Sequence, residues 1–186
     1  MGTITRSFAN NIKTGGKIDS DGLDLTDNYT FTGTVTGTVA NTPAFRAYRA
    51  TTQNITDNAL EKVEFDTETF DTDSCYDNST NYRFTPNVAG KYFVYTQVNC
   101  SNSVGDDQYY AIAIMKKNTT ELIRNTTDPK DSSPQNQSYN YMATVVDMNG
   151  STDYIEVFAQ VNTGSGTPNV GDGSNQSYFG AYKIIE

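Results

Sequence analysis

The 186-residue sequence predicts an all-β protein, an antiparallel sandwich or barrel preceded by an extended N-terminal arm. Many short apolar segments are separated by connections rich in Asn, Gly, Ser and Pro, which is typical of strands joined by turns. Several of these segments alternate apolar and polar residues, and no stretch repeats apolar residues at helical spacing. The length suits one domain whose core lies between two sheets.

Composition divides the chain near residue 42. Residues 1–42 are rich in Gly, Thr and Asp and contain few large apolar side chains, whereas residues 43–186 contain nearly all the aromatic residues. A segment with so few apolar side chains cannot form a core of its own. We therefore expect residues 1–42 to form an extended arm that serves attachment and trimerisation, and residues 43–186 to form the β domain.

Nine strands are expected in the β domain, each bounded by turn-forming residues. They are Ala44–Ala50, Lys62–Phe65, Tyr82–Phe84, Lys91–Asn99, Gln108–Lys117, Glu121–Asn125, Ser138–Met148, Asp153–Gln160 and Ser177–Ile185. Alternation predicts which side chains share a face. In the eighth strand Ile155 and Val157 share one face and Phe158 lies on the other, and in the fifth strand Tyr109 shares a face with Ala111.

The fourth strand contains more rings than one buried face needs. Tyr92, Phe93 and Tyr95 lie within four positions of each other. Alternation places Tyr92 and Val94 on one face and Phe93 and Tyr95 on the opposite face, and either pair can be the one that lines the interior. An outer face with several rings indicates a surface that is covered by a partner.

Charge and residue types exclude several function classes. The formal net charge is −9, and the chain contains no histidine. Binding to nucleic acids needs clustered Lys and Arg, and no apolar stretch has transmembrane length, so we expect neither nucleic-acid binding nor membrane insertion. Without histidine the commonest general base is missing, and no serine lies in a nucleophile elbow. We therefore expect no enzymatic activity.

The two cysteines, Cys75 and Cys100, are too far apart for a CxxC redox or zinc motif. They form either a single disulfide or two buried thiols, and the thiols are favoured. Residues 1–11 contain no apolar run, so we expect no signal peptide.

Six residues around the fourth strand follow a family-like spacing. They are Phe65, Asp71, Tyr76, Phe84, Gly90 and Tyr92. The pattern resembles the signature of the complement C-one-q globular domain, a member of the tumour-necrosis-factor-like jelly rolls. The stretches PAFRAYRA, STDYIEVFAQV and SYFGAYKII resemble three further strands of that family. Two departures, a gap one residue longer after Tyr76 and Val94 in place of a ring, do little to the fold.

The resemblance implies an antiparallel jelly-roll sandwich over residues 43–186 that forms a tight homotrimer through an aromatic sheet face. The residues expected at the trimer interface are Phe93, Tyr95, Tyr109, Phe158 and Tyr182. The residues expected to form the core signature are Phe65, Phe84, Gly90, Tyr92 and Phe179. A further set forms either an aromatic platform for a sugar or trimer packing, which is favoured: Tyr139, Tyr141 and Tyr178.

No cofactor is expected, although the resembled family sometimes binds structural calcium near its three-fold apex. The candidate oxygen ligands are Asp71, Asp73, Asp106 and Asp107. They lack EF-hand spacing, and solvated acidic turns are the alternative interpretation.

The stretch MGTITRSFANNI resembles the opening of structural proteins from tailed phages of marine bacteria. This implies attachment to other virion proteins through Thr3, Ile4 and Phe8. The expected function is that of a non-enzymatic capsid decoration, head-fibre or short-appendage protein, assembled in the host cytoplasm and exposed on the virion surface. The alternatives are a tail-fibre module that binds a host surface polysaccharide or protein, and a secreted C-one-q-like lectin.

Overall fold

The computed structural model describes part of the chain: residues 12–13, 17–18, 41–103, 108–128 and 135–184. Contacts between Cα atoms divide the chain into two units, residues 1–38 and residues 39–186. In the first unit, the described residues form one antiparallel pair, β1 (Ile12–Lys13) and β2 (Lys17–Ile18).

The attachment residues predicted in the arm are Thr3, Ile4 and Phe8. They lie outside the described residues, and their role stays a prediction.

The described residues of the second unit form strands and no helix, in agreement with the predicted all-β class. The strands are β3 (Ala44–Tyr48), β4 (Gln53–Asn54), β5 (Glu61–Lys62), β6 (Thr67–Asp71), β7 (Tyr76–Asp77), β8 (Arg83–Phe84), β9 (Gly90–Asn102), β10 (Gln108–Lys117), β11 (Thr120–Thr127), β12 (Gln137–Met148), β13 (Ile155–Thr163), β14 (Pro168–Val170) and β15 (Tyr178–Lys183). Each of the nine predicted strands overlaps one of these. Alternation does not predict β4, β6, β7 and β14, because they are short and their residues do not alternate between apolar and polar.

The strands of the second unit belong to two antiparallel sheets. The larger sheet has seven strands in the order β4-β14-β9-β15-β3-β6, and β12 is also paired with β9. The smaller sheet has six strands in the order β11-β10-β13-β8-β7, and β5 is also paired with β13. The chain passes repeatedly from one sheet to the other, for example between β6 and β7, between β8 and β9, between β9 and β10, and between β11 and β12. Each stretch of sequence therefore contributes to both layers.

A single hydrophobic core lies between the two sheets. At one end of it Phe45 stacks on Tyr76 and Phe84, with ring centroids 4.6 and 4.7 Å apart, and Phe179 meets Phe45 edge-on at 4.9 Å. Such ring pairs contribute about 0.5–1.5 kcal/mol each beyond the area that they bury. The four aromatic residues of the expected core signature have no exposed surface: Phe65, Phe84, Tyr92 and Phe179.

The start of β9 agrees with the sequence prediction. Gly90 has a φ of +146°, which a residue with a side chain rarely adopts. The Tyr92 ring enters the core, and its hydroxyl donates a hydrogen bond to the Val88 carbonyl at 2.7 Å. Phe93 and Tyr95 are partly exposed and point to the other side of the sheet.

A β-bulge at Tyr109 changes the alternation in β10. Gln108 and Tyr110 are paired with consecutive residues of β13, so Tyr109 has no partner there. Gln108 is buried, whereas Tyr109 is 50% exposed. The prediction that Tyr109 shares a face with Ala111 is therefore wrong, because the extra residue turns the Tyr109 side chain outward.

Both cysteines are free and buried, which confirms the thiol alternative. Burial raises the pKa of the Cys100 thiol to about 12, although a hydrogen bond with Asn140 acts in the opposite direction. Burial also raises the pKa of the Cys75 thiol. Neither thiol is therefore activated as a nucleophile.

Candidate functional site

The outer side of the larger sheet carries a group of aromatic and apolar side chains that we call the aromatic face. Its members are Phe93, Tyr95, Tyr139, Tyr141, Val145, Tyr178 and Tyr182, from β9, β12 and β15. All are partly or largely exposed in the single chain, and Tyr141 and Val145 are 52% and 53% exposed. Single apolar side chains on a surface are ordinary, but a contiguous group indicates an interaction site.

Strand register brings the rings of the aromatic face together. Val145 of β12 and Tyr182 of β15 are the cross-strand partners of Phe93 on its two sides. The ring centroids of Phe93 and Tyr182 lie 5.4 Å apart, and those of Phe93 and Tyr95 lie 6.0 Å apart. Tyr95 in turn lies 6.3 Å from Tyr178. These four rings therefore form one connected row on the sheet.

Gly180 makes room for the Tyr95 ring. These two residues are cross-strand partners, and a Cβ on Gly180 would lie 2.5 Å from Cζ of Tyr95. Burial in this position raises the pKa of the Tyr95 hydroxyl, while the charge of Arg46 lowers it. Tyr95 is thus packed against its own domain before any partner binds, which reduces the side-chain entropy lost on association.

The aromatic face contains little charge. The Arg46 guanidinium lies 4.9 Å from the centroid of the Tyr178 ring and donates a hydrogen bond to the Ser174 carbonyl at 2.6 Å. At the start of β9, Lys91 and Asp147 form an ion pair at 2.7 Å. Asp147 is the single carboxylate in β9, β12 and β15. In a chain with a net charge of −9, two copies can therefore approach through this surface with little repulsion between carboxylates.

The five residues predicted at a trimer interface do not share one surface. Those on the aromatic face are Phe93, Tyr95 and Tyr182. Phe158 points outward from β13 in the smaller sheet, where the Lys116 ammonium lies 4.3 Å from its ring centroid. Tyr109 also belongs to the smaller sheet. Alternation assigns a residue to one side of its strand and not to one of the two sheets, and a place at a trimer interface stays a prediction for these two residues.

Val145 is the member of the aromatic face that sequence reasoning missed. It occupies an outward position of β12, four residues after Tyr141. The signal was present in the sequence, because Tyr139, Tyr141 and Val145 occupy alternate positions of one strand opposite buried residues. A strand whose outward positions are also apolar predicts a face that is covered in the assembly.

Several acidic residues of the described chain are engaged in ion pairs and turns. Asp66 pairs with Arg49 at 2.6 Å. Asp71 accepts hydrogen bonds from the backbone N–H groups of Tyr76, at 2.8 Å, and Asp73, at 3.3 Å. Within the described ranges, no group of three or more His, Cys, Asp or Glu side chains is placed to hold a metal ion, and no helix is long and apolar enough to cross a membrane.

Two of the four candidate calcium ligands, Asp106 and Asp107, lie outside the described residues. Of the other two, Asp71 ends β6 and Asp73 lies in the turn after it, where Thr72 donates a hydrogen bond to Asp73 at 2.5 Å. These bonds explain why the turn contains aspartates, and calcium binding stays a prediction.

Comparison with solved structures identifies the fold. A crystal structure of murine APRIL at pH 5.0 matches with a TM-score of 0.56 and 14% identity, over 76% of this chain and 98% of that chain. The Eiger TNF structure from S. frugiperda matches with a TM-score of 0.55 and 12% identity, over 77% of this chain and 92% of that chain. No protein-family model and no curated protein matches the sequence. The chain therefore has the tumour-necrosis-factor-like jelly-roll fold that the sequence predicts, and at these identities the likeness establishes the fold alone.

Proposed function

We propose that this chain is a non-enzymatic structural protein that forms a homotrimer by packing the aromatic face of each copy against its neighbours. The observation that supports this most strongly is the connected row of exposed rings on a sheet face with little charge. Burying one such side chain contributes roughly 1.5–3 kcal/mol. Several side chains from each copy can offset the cost of association, which is on the order of 4–15 kcal/mol.

The number of copies in the proposed assembly, three, is taken from the family resemblance and not from the geometry of one chain. The sequence signature resembles that of C-one-q domains, and the fold is shared with tumour-necrosis-factor-like structures. Both support a closed three-fold assembly over an open chain of subunits. A closed ring leaves no unpaired copy of the aromatic face, and so it does not grow into a fibre.

In its finer form, the proposal places the trimer on the surface of a phage virion, as a capsid decoration, head fibre or short appendage. Residues 1–42 attach it to other virion proteins, and assembly takes place in the host cytoplasm. The support is the resemblance of MGTITRSFANNI to the opening of phage structural proteins, together with the low apolar content of the arm. Electron microscopy of purified virions with gold-labelled antibody tests this. Label at the capsid or at the tail would support the virion role and separate the two positions, and unlabelled particles would contradict it.

Hydroxyl-radical footprinting tests the interface itself. Tyr141 on the aromatic face and Tyr109 on the smaller sheet are 52% and 50% exposed in the single chain, so they form a matched pair. Packing of the aromatic face predicts that Tyr141 is labelled several-fold more slowly than Tyr109 in the native protein. Equal labelling of the two tyrosines would show that the aromatic face is open.

The second candidate function is a receptor-binding module that recognises a host surface saccharide. One observation favours it, a pocket on the smaller sheet that the trimer proposal does not use. The two functions are compatible, because the pocket and the aromatic face lie on different sheets.

A further inference from the structure

A pocket of about 390 Å³ opens on the outer side of the smaller sheet. Among the described residues, it is lined by Tyr109 and Tyr110 of β10, Asn162 of β13 and Asp128, which directly follows β11. Its volume falls within the range of small-ligand sites, about 300–1,000 Å³. The four residues come from three neighbouring strands or their ends, so the pocket has a rigid base.

The bulge in β10 is what creates this pocket. In a regular strand, consecutive side chains point to opposite faces, and Tyr109 would enter the core. Because Tyr109 has no partner on β13, both Tyr109 and Tyr110 line the outer surface. Asn162 is the cross-strand partner of Tyr110. Bulges recur beside functional sites because they redirect side chains in this way.

Hydrogen bonds hold Tyr110 in position. Its hydroxyl donates to Oδ1 of Asn58 and accepts from Nε2 of Gln160 at 3.1 Å. Gln160 also donates to Oδ1 of Asn58 at 2.9 Å. The backbone N–H of Asn58 donates to the Val161 carbonyl at 2.8 Å, which ties this loop to β13. One ring of the pocket is therefore fixed in advance, while the other, Tyr109, remains half exposed.

We propose that this pocket binds a neutral saccharide. The C–H face of a pyranose ring packs against an aromatic ring, and its hydroxyls donate to a carboxylate and exchange hydrogen bonds with an amide. Tyr109 supplies the open ring, Asp128 the acceptor, and Asn162 both a donor and an acceptor. The Asp128 carboxylate, in a chain with a net charge of −9, disfavours anionic sugars. The inference rests on the second candidate function, saccharide recognition, and does not depend on trimerisation.

Saturation-transfer NMR and calorimetry on the full chain test this site. The probes are neutral trisaccharides of glucose, galactose and N-acetylglucosamine, with a trisaccharide of glucuronic acid as the anionic comparison. We expect at least one neutral probe to bind and the anionic probe to bind more weakly. Tyr109→Ala should weaken binding about tenfold, corresponding to about 1.4 kcal/mol. Asn162→Ala should also weaken it.

The matched control is Phe70→Ala, because Phe70 is also an exposed ring, at 45%, and belongs to β6 of the larger sheet, outside the aromatic face. It should bind the probe as the unchanged chain does. Loss of binding in Tyr139→Ala but not in Tyr109→Ala would move the sugar site to the aromatic face and overturn the proposal. Failure of every neutral probe, or tighter binding of the anionic probe, would also overturn it. Sedimentation of the same samples reports trimerisation separately, so failure of one proposal is distinguishable from failure of the other.

Discussion

The ring of Tyr95 lies against the backbone of Gly180, its cross-strand partner, where a Cβ would be 2.5 Å from the Tyr95 Cζ. This contact fixes the middle of the aromatic face, because Tyr95 is also next to Phe93 and Tyr178 in the row of rings. A side chain at position 180 would displace the ring into the space that a partner needs. Gly180 therefore links the packing of the domain to its assembly.

Gly180→Ala should lower the free energy of unfolding by about 1–3 kcal/mol, the usual cost of overpacking. The new methyl group would meet both the Tyr95 ring and the Phe45 carbonyl oxygen, at 3.0 Å. Urea unfolding of Gly180→Ala, Tyr95→Ala and the double variant measures the coupling. The double variant should lose less than the sum of the single variants. Additive losses would show that the Tyr95 ring does not occupy the space above Gly180.

A charge placed on the aromatic face should weaken self-association. Val145→Glu introduces a carboxylate beside Phe93, and burying it against another copy would cost several kcal/mol. Val88→Glu is the matched control, because Val88 is also exposed, at 41%, and lies outside the aromatic face. Sedimentation velocity should show dissociation of Val145→Glu at concentrations where Val88→Glu stays assembled. Equal behaviour of the two variants would place the interface elsewhere.

The raised pKa values of two buried groups predict that the protein loses stability at alkaline pH. Burial raises the pKa of Cys100 from 9.0 and that of Tyr92 from 10.0, each to about 12. Their neutral forms are favoured in the folded state, so this stability is complete below pH 9 and is lost as the pH rises from about 9 to 12. Urea unfolding at pH 7, 9, 10 and 11 should show a falling free energy. Cys100→Ala should show a shallower fall, and an unchanged slope would contradict the shift assigned to Cys100.

The lowered pKa of Asp77, at the turn after β7, predicts that the protein loses stability at acidic pH. Asp77 accepts hydrogen bonds from the backbone N–H groups of Ser79, Thr80 and Asn81 at 2.9–3.1 Å, and these hold its pKa well below the ordinary value of 3.8. That stability is present above pH 3.8 and is lost as the pH falls below it. Asp77→Ala should lower the melting temperature at pH 7 by a few degrees and reduce its decrease between pH 5 and 2. Asp147→Ala, which removes an exposed carboxylate, is the control, and an equal effect from it would rule out the turn as the cause.

Much of the fold follows from alternation and spacing. Ile155 and Val157 are buried as their pattern predicts, and Tyr92 enters the core while Phe93 does not. These residues lie in long strands with apolar inward positions, where the sequence period matches the side-chain period of a strand. β4 and β7 have two residues each, which is too few to show an alternation pattern. They are strands because each pairs with a neighbouring strand.

The candidate sites follow less directly from the sequence. Phe93, Tyr95 and Tyr182 were predicted to form an interface, and the structure places them on one face. Alternation gives the wrong face for Tyr109, because a single unpaired residue reverses its direction and the bulge shows no composition signal. Phe158 points to the side that alternation predicts, but the sequence does not show that the Lys116 ammonium, from another strand, lies over its ring. Both features depend on pairing between distant segments, which local pattern does not encode.

Sedimentation equilibrium of the full chain at micromolar concentration tests the central proposal most directly. Each chain has a mass of 20.5 kDa. Packing through the aromatic face predicts a single species with the mass of three chains, stable on dilution through the micromolar range. A species with the mass of one chain under those conditions would contradict the proposal, and a dimer would contradict the three-fold arrangement.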